Sequence, residues 1–144
     1  MKIKVINRSA FELPHYETVS AAGLDVRANT TESIVLEPLQ RALVPTGLYV
    51  EIPDGYEIQV RPRSGLAAKH GISIANAPGT IDPDYRGEIT VVLLNTSGEE
   101  RRLRRGDRIA QLVFQPALQV ELEECETLGA TGRGSGGFGH TGKH

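Results

Sequence analysis

Apolar side chains recur at every second position in short runs of this chain, and that periodicity limits the fold more than any other feature. Ile3 and Val5, then Tyr56, Ile58 and Val60, then Ile89, Val91 and Leu93, then Val120 and Leu122 alternate with mostly polar residues. This is the pattern of strands with one face buried. Turn-forming residues separate the runs at Pro53-Asp54-Gly55, Arg86-Gly87, Ser97-Gly98 and Gly106-Asp107, where glycine reaches positive φ freely and aspartate bonds back to the backbone. Only Ser64 to Gly71, through Leu66-Ala67-Ala68-Lys69, is built of helix formers without β-branching, enough for about two turns. The expectation is an all-β chain, a jelly-roll-like distorted β-barrel with one short helix.

At 144 residues the chain has the length of one domain and can bury a core without metal or disulfide staples. With no Trp, three Phe and four Tyr, that core falls to Val, Ile, Leu and Ala. Residues 1–128 are expected to form the β domain, and residues 129–144 a flexible glycine-rich tail without hydrophobic period. The formal net charge of -2 supplies no global attraction to nucleic acid or to an acidic membrane surface. The start, Met1-Lys2-Ile3-Lys4-Val5-Ile6-Asn7, lacks the apolar stretch of a signal peptide and reads as a first strand. No window approaches the roughly eighteen apolar residues of a membrane span. The single cysteine, Cys125, excludes an intrachain disulfide and points to a cytoplasmic protein, with a buried, unreactive thiol. His15, His70, His140 and His144 lack zinc-ligand spacing, so no structural metal is expected.

Several segments carry possible chemistry. Arg61-Pro62-Arg63-Ser64-Gly65-Leu66 ends one strand and opens the helix, so backbone donors, a hydroxyl and a guanidinium converge as a phosphate seat; the plain alternative is an ordinary Ser N-cap. Its spacing is not that of a P-loop. Asn76 to Gly87 reads as a hairpin whose loop carries two carboxylates and a phenol. Asp82 in it orients or deprotonates a water, and Asp25, in Ala22-Gly23-Leu24-Asp25-Val26, holds a metal-bound water or a sugar hydroxyl; either also fits a turn. In the tail, close-set glycines offer amides to phosphate oxygens, Arg133 adds a cationic fork, and Phe138 offers a ring to stack on a base. Taken alone, such a tail is more often simply unstructured. Glu99-Glu100 partly neutralises the basic run Arg101-Arg102-Leu103-Arg104-Arg105, which reads as a solvated hairpin. Gln111 interrupts the apolar strand Ile109 to Phe114, facing outward by pattern or donating to a ligand.

Taken together and in this order, these segments resemble the five motifs of the trimeric dUTPase family, over nearly the whole chain. Ala22-Gly23-Leu24-Asp25 is similar to the first motif and Arg63-Ser64-Gly65-Leu66-Ala67 to the second. Gly79-Thr80-Ile81-Asp82-Pro83-Asp84-Tyr85-Arg86-Gly87 resembles the third, Arg105-Gly106-Asp107-Arg108-Ile109-Ala110-Gln111 the fourth, and Arg133-Gly134-Ser135-Gly136-Gly137-Phe138-Gly139 the fifth. The resemblance implies a β jelly-roll homotrimer that uses Mg²⁺ to hydrolyse dUTP to dUMP and pyrophosphate, lowering dUTP and supplying dUMP for thymidylate synthesis. Each site would combine motifs from three chains, with the fifth folding over the nucleotide as a lid. By the same resemblance Asp82 positions the water that attacks the α-phosphorus, and Tyr85 packs under the deoxyribose so that a 2'-hydroxyl collides. Asn76 and the backbone around Gly79, Thr80 and Ile81 read uracil's polar edge. Ser64, Gly65 and Gln111 hold the phosphates, with Arg63 beside them. Arg133 holds the γ-phosphate, flanked by Ser135, Gly136 and Gly137, and Phe138 caps the uracil. Asp25 bonds to water in the Mg²⁺ shell rather than to the metal. His140 departs from the pattern, standing where many members carry Ser or another small residue.

Two other readings compete. A dCTP deaminase shares the jelly roll and pocket, but typically has a second serine where Gly65 stands and uses a glutamate near the base. A non-catalytic nucleotide-sensing trimer has no need of Asp82. The first rival is separable by product: dCTP incubated with the chain should yield no ammonia in a coupled assay, and steady ammonia release would establish a deaminase.

Overall fold

The computed structural model describes residues 1–137 of the chain. Eleven strands and one helix follow in the order β1 (Lys4–Asn7), β2 (Leu24–Arg27), β3 (Ile34–Leu36), β4 (Arg41–Pro45), β5 (Leu48–Glu51), β6 (Tyr56–Arg61), α1 (Ser64–His70), β7 (Ile72–Ile74), β8 (Gly79–Ile81), β9 (Thr90–Asn95), β10 (Arg101–Leu103) and β11 (Arg108–Pro116). All pairings are antiparallel. They make a four-stranded sheet β2-β11-β6-β8, a three-stranded sheet β4-β9-β7, and the pairs β1-β5 and β3-β10. The all-β, jelly-roll-like reading therefore holds with its one short helix. Hydrogen bonding among the described strands does not close them into a barrel.

The core is the meeting of the two larger sheets. Ile58 and Val60 of β6 and Val91 and Leu93 of β9 turn inward at period two, as the alternation predicts, and Val26, Leu36 and Val44 join them. Each such side chain contributes about 1.5–3 kcal/mol by leaving water. Two buried polar residues are fully used. Asn95 donates Nδ2 to the carbonyls of Leu36 and Glu99 and accepts at Oδ1 from Ser97, which ties β9 to β3 and the turn before β10. Thr46 donates its hydroxyl to the Ile89 carbonyl at 2.7 Å and accepts from Leu48 N–H, while Ile89 N–H donates to the Leu48 carbonyl at 2.8 Å. These bonds pin the end of the loop that follows β8.

Five expectations need correction. β1 forms, but its residues are all exposed, because among the described residues it pairs only with β5 and nothing covers its outer face. Lys4 Nζ donates to Glu51 Oε1 at 2.8 Å across that pair and holds the Glu51 carboxyl below its ordinary range. Val120 and Leu122 belong to no strand: residues 118–128 pair with no other segment among the described residues and leave Leu118, Val120 and Leu122 exposed. Cys125 lies on the same stretch and is exposed, not buried. Residues 76–87 are not a simple hairpin, since β7 and β9 pair with each other while β8 between them crosses to β6. The basic run is not a hairpin on itself either; its β10 pairs with β3, with Arg101 and Arg102 bridged to Glu99 and Glu100 at 3.1 Å and 3.7 Å.

Ile58→Ala should remove about 2–5 kcal/mol of stability, the range for truncating a wholly buried aliphatic side chain. Val19→Ala, at an exposed loop position, should change it by less than about 0.5 kcal/mol. Urea unfolding of the two variants checks both.

Candidate active site

The four-stranded sheet carries the candidate residues in two separate places. At one edge, β8 pairs with β6 through Ile58↔Ile81 and Val60↔Gly79 and delivers the chain directly into Asp82. Asn76, Gly79, Thr80, Ile81, Asp82 and Tyr85 line a cavity of about 170 Å³ there, with Val60, Ile89 and Val92 as its apolar wall. A Cβ at Gly79 would lie 3.3 Å from both Asn76 Nδ2 and Val60 Cβ, so glycine keeps the slot open. Tyr85 closes a turn by donating its N–H to the Asp82 carbonyl, and its phenol donates to the Glu88 carbonyl at 3.0 Å. The phenol is thus occupied, and what Tyr85 offers a ligand is its half-exposed ring. Gly87 lies under that ring, where a Cβ would collide with the phenol oxygen. Asp82 is exposed, and among the described residues no hydrogen bond or ion pair takes up its carboxylate.

The second place is the junction of β2, β11 and the start of α1. A cleft of about 750 Å³ is lined by Gly23, Arg61, Ser64, Ala77, Pro78 and Gln111, among others. Gln111 is half-buried in it and donates Nε2 to the Pro62 carbonyl at 3.0 Å, so it faces the cleft rather than bulk solvent. A Cβ on Gly23 would come within 2.5 Å of Gln111 Oε1; only glycine lets the chain pass there. Ser64 is not the N-cap. Arg63 takes that position with φ -85 and ψ 126, no side chain caps the helix, and Ser64 and Gly65 are its first two residues, both exposed. The Ser64 hydroxyl is therefore not spent on capping.

Arg63 and Asp25 lie behind this cleft. Asp25 Oδ1 accepts from Arg63 Nε at 3.1 Å and Oδ2 from Arg108 at 3.0 Å, and the side chains are largely buried together. Arg108 also pairs with Glu17 at 3.2 Å, and Arg63 donates to the Arg108 carbonyl at 3.2 Å. Sequence reading left Arg108 and Glu17 without a role. Spacing gave no signal for Arg108: three residues from Gln111, it would stand on the opposite face of a regular strand.

Asp25 and Asp82 do not meet. β2 and β8 are opposite edges of the sheet, three inter-strand steps or about 14 Å apart. The described part of the tail, to Gly137, joins neither place: Arg133 Nε donates to the Gly136 carbonyl at 2.7 Å in a local turn, Ser135 is exposed, Gly136 and Gly137 are half-buried, and Phe138 lies outside the described residues.

The chain thus presents a slot with an open backbone edge and an exposed carboxylate, and a cleft with an amide and a hydroxyl that does not cap the helix. The dUTPase family model matches residues 9–142. A deoxyuridine 5'-triphosphate nucleotidohydrolase of Fusobacterium nucleatum subsp. nucleatum is 57% identical over 143 residues, 99% of this chain and 98% of the relative. The structure of the Staphylococcus bacteriophage 80alpha dUTPase with dUPNHPP aligns at a TM-score of 0.88 and 28% identity, covering 98% of each chain. A mutant dUTPase of phage phi11 of S. aureus, whose structure is described as revealing the coordination of a structural Mg(II) ion, aligns at a TM-score of 0.78 and 27% identity, covering 88% of this chain and 98% of that one. The chain belongs to the dUTPase family.

Gly23→Ala should drive the Gln111 amide out of the cleft and weaken binding of a non-hydrolysable dUTP analogue about tenfold or more, the loss of one or two polar contacts. Calorimetric titration checks it, and an unchanged affinity would mean that Gln111 does not touch the triphosphate.

Proposed function

We propose that the chain hydrolyses dUTP to dUMP and pyrophosphate in Mg²⁺-dependent sites, each assembled from three copies of itself. The observation that supports this reading is that Asp25 and Asp82, the two carboxylates it needs, stand at opposite edges of one sheet, three inter-strand steps or about 14 Å apart. In the proposed reading different copies of the chain supply the two to one nucleotide. A closed ring of three sets the slot of each copy against the cleft of the next, as a heterologous interface requires. The exposed Leu118, Val120 and Leu122 support the same reading, since an alternating apolar segment without a partner among the described residues is suited to cover a neighbour. That segment leads into the tail, so Arg133 and Phe138 would reach a neighbouring site.

In such a site the backbone of Gly79, Thr80 and Ile81, with Asn76, pairs with uracil's polar edge; cytosine presents the wrong donors, and a thymine methyl meets the wall beside Val60. The Tyr85 ring lies against the sugar and leaves no room for a 2'-hydroxyl. Ser64, Gly65 and Gln111 bind the phosphates, and Arg133 the last of them. Asp82, its carboxylate free, holds a water in line with the α-phosphorus and accepts its proton as the leaving pyrophosphate departs.

Among the described residues no group of three or more His, Cys, Asp or Glu side chains could cage a metal. The residues fit an ion held mainly by the triphosphate, with Asp25 reaching it through water, because a carboxylate has about four lone-pair sites and the two arginines use two. Mg²⁺, when bound with the nucleotide, neutralises phosphate charge and eases departure of pyrophosphate.

Pyrophosphate release from dUTP, but not from dTTP, dCTP or UTP, and its loss on chelation, is the direct test; comparable turnover of UTP would refute the role of Tyr85. Asp82→Asn should keep nucleotide binding and lower turnover by roughly 10²- to 10⁴-fold. A chain truncated after Leu128 should also be nearly inactive. Mixed with Asp82→Asn under conditions of subunit exchange, it should restore about a quarter of the sites, because each site then has an even chance of an intact Asp82 and of an intact tail. Tagged mixed trimers without restored activity would overturn the shared site.

A further inference from the structure

Arg108 is three residues from Gln111 on β11, yet both face the phosphate side of the sheet. The reason is a bulge. The β11–β2 register runs Gln111↔Asp25 and Ala110↔Val26 but then Arg108↔Arg27, so Ile109 is an extra residue. Directly opposed residues share a face, and Asp25 and Arg27, two apart, share one as well. Arg108 and Gln111 therefore stand on the face of Asp25, while Ile109 and Ala110 are both buried. Bulges that re-aim a side chain occur beside active sites for this reason.

From this geometry we infer that Arg108 is a positioning residue for the triphosphate, acting through Asp25 and Arg63. Arg108 grips Asp25 Oδ2 at 3.0 Å, the other carboxylate oxygen takes Arg63 Nε at 3.1 Å, and Arg63 donates back to the Arg108 carbonyl at 3.2 Å. This closed loop fixes Arg63, the residue immediately before Ser64, in the extended conformation that starts the helix. On the other side, Gln111 is tied to the Pro62 carbonyl at 3.0 Å. The Ser64 hydroxyl and the Gln111 amide are thereby held toward one cleft by bonds that converge on residues 62 and 63. Glu17 extends the loop to the segment before β2 through its 3.2 Å contact with Arg108. Charge-assisted bonds of this kind, partly withdrawn from water, are stronger and more directional than neutral ones.

The inference rests on the proposal that Ser64 and Gln111 hold phosphate, and the experiment separates the two. Full-length wild-type and variant proteins are titrated with the imido analogue dUpNHpp plus Mg²⁺ and, separately, with 2'-deoxyuridine, which has no phosphate. Arg108→Ala should weaken dUpNHpp about tenfold, the loss of one oriented contact, and leave 2'-deoxyuridine within about twofold. Arg108→Lys, keeping charge and one donor, should recover part of that loss. Should Arg108→Ala fail to fold, Arg108→Gln, with an amide donor on a similar stem, serves for the same comparison. Ser64→Ala and Gln111→Ala are run in parallel. If both leave dUpNHpp binding intact, the phosphate reading falls and this inference with it. If they weaken it while the Arg108 variants do not, or if the Arg108 variants weaken both ligands equally, the positioning role alone is overturned.

Discussion

The pairing of β11 is the constraint on which the rest depends. This nine-residue strand is hydrogen-bonded to β2 on one side and β6 on the other, so its register sets which residues of three motifs share a face. A strand slipped by one residue turns every side chain over. Here the slip is built in once, at Ile109, and its effect is local: Ile109 and Ala110 both stay in the core, while Arg108 moves to the side of Asp25 and Gln111. The ion network then holds what the bulge has arranged. Its partly buried arginines and carboxylate leave no unsatisfied polar atom among the buried side chains described, which is the condition for such groups to be tolerated at all.

Glycine does comparable work by omission. Gly23 lets β2's approach pass against the Gln111 amide, Gly79 leaves a slot between Asn76 and Val60, and Gly87 gives the Tyr85 ring a floor. At none of the three is a left-handed backbone the reason; the reason is close approach. Substrate discrimination in a site of this kind comes mostly from rigid backbone and from the absence of room. The anchoring of Ile89 to Thr46 and Leu48 matters functionally for that reason, although neither partner lines the slot.

In the proposed reading, one chain holds two half-sites rather than a site. Among the described residues the exposed carboxylate of Asp82 makes no hydrogen bond or ion pair, and the Ser64 hydroxyl does not cap the helix. A catalytic group that must accept a proton and a hydroxyl that must bind phosphate have to remain unspent until the substrate arrives. The same logic applies to the exposed strip from Leu118 to Leu122, whose apolar residues find no cover among the described residues.

Local sequence determined a good deal of this. The helix from Ser64 was legible because a run without β-branched residues stands out in a β-rich chain, and its observed end at His70 is set by Gly71 at φ 64. Period-two alternation located β6 and β9, whose inward faces are the core. The ordered motifs named the family and most of the candidate residues. Other features depend on long-range partners. Alternation at Ile3 and Val5 and at Val120 and Leu122 looks the same as alternation in the core, because periodicity reports that a face is apolar and not whether anything in the chain covers it. The crossing of β8 to β6, the exposure of Cys125 and the distance between Asp25 and Asp82 followed from which strands pair, a choice made by the whole sheet. Spacing in sequence also could not show that Arg108 faces Asp25: one bulged residue reverses the face, and its energy is decided by the burial of Ile109 and Ala110 against side chains far away in the chain.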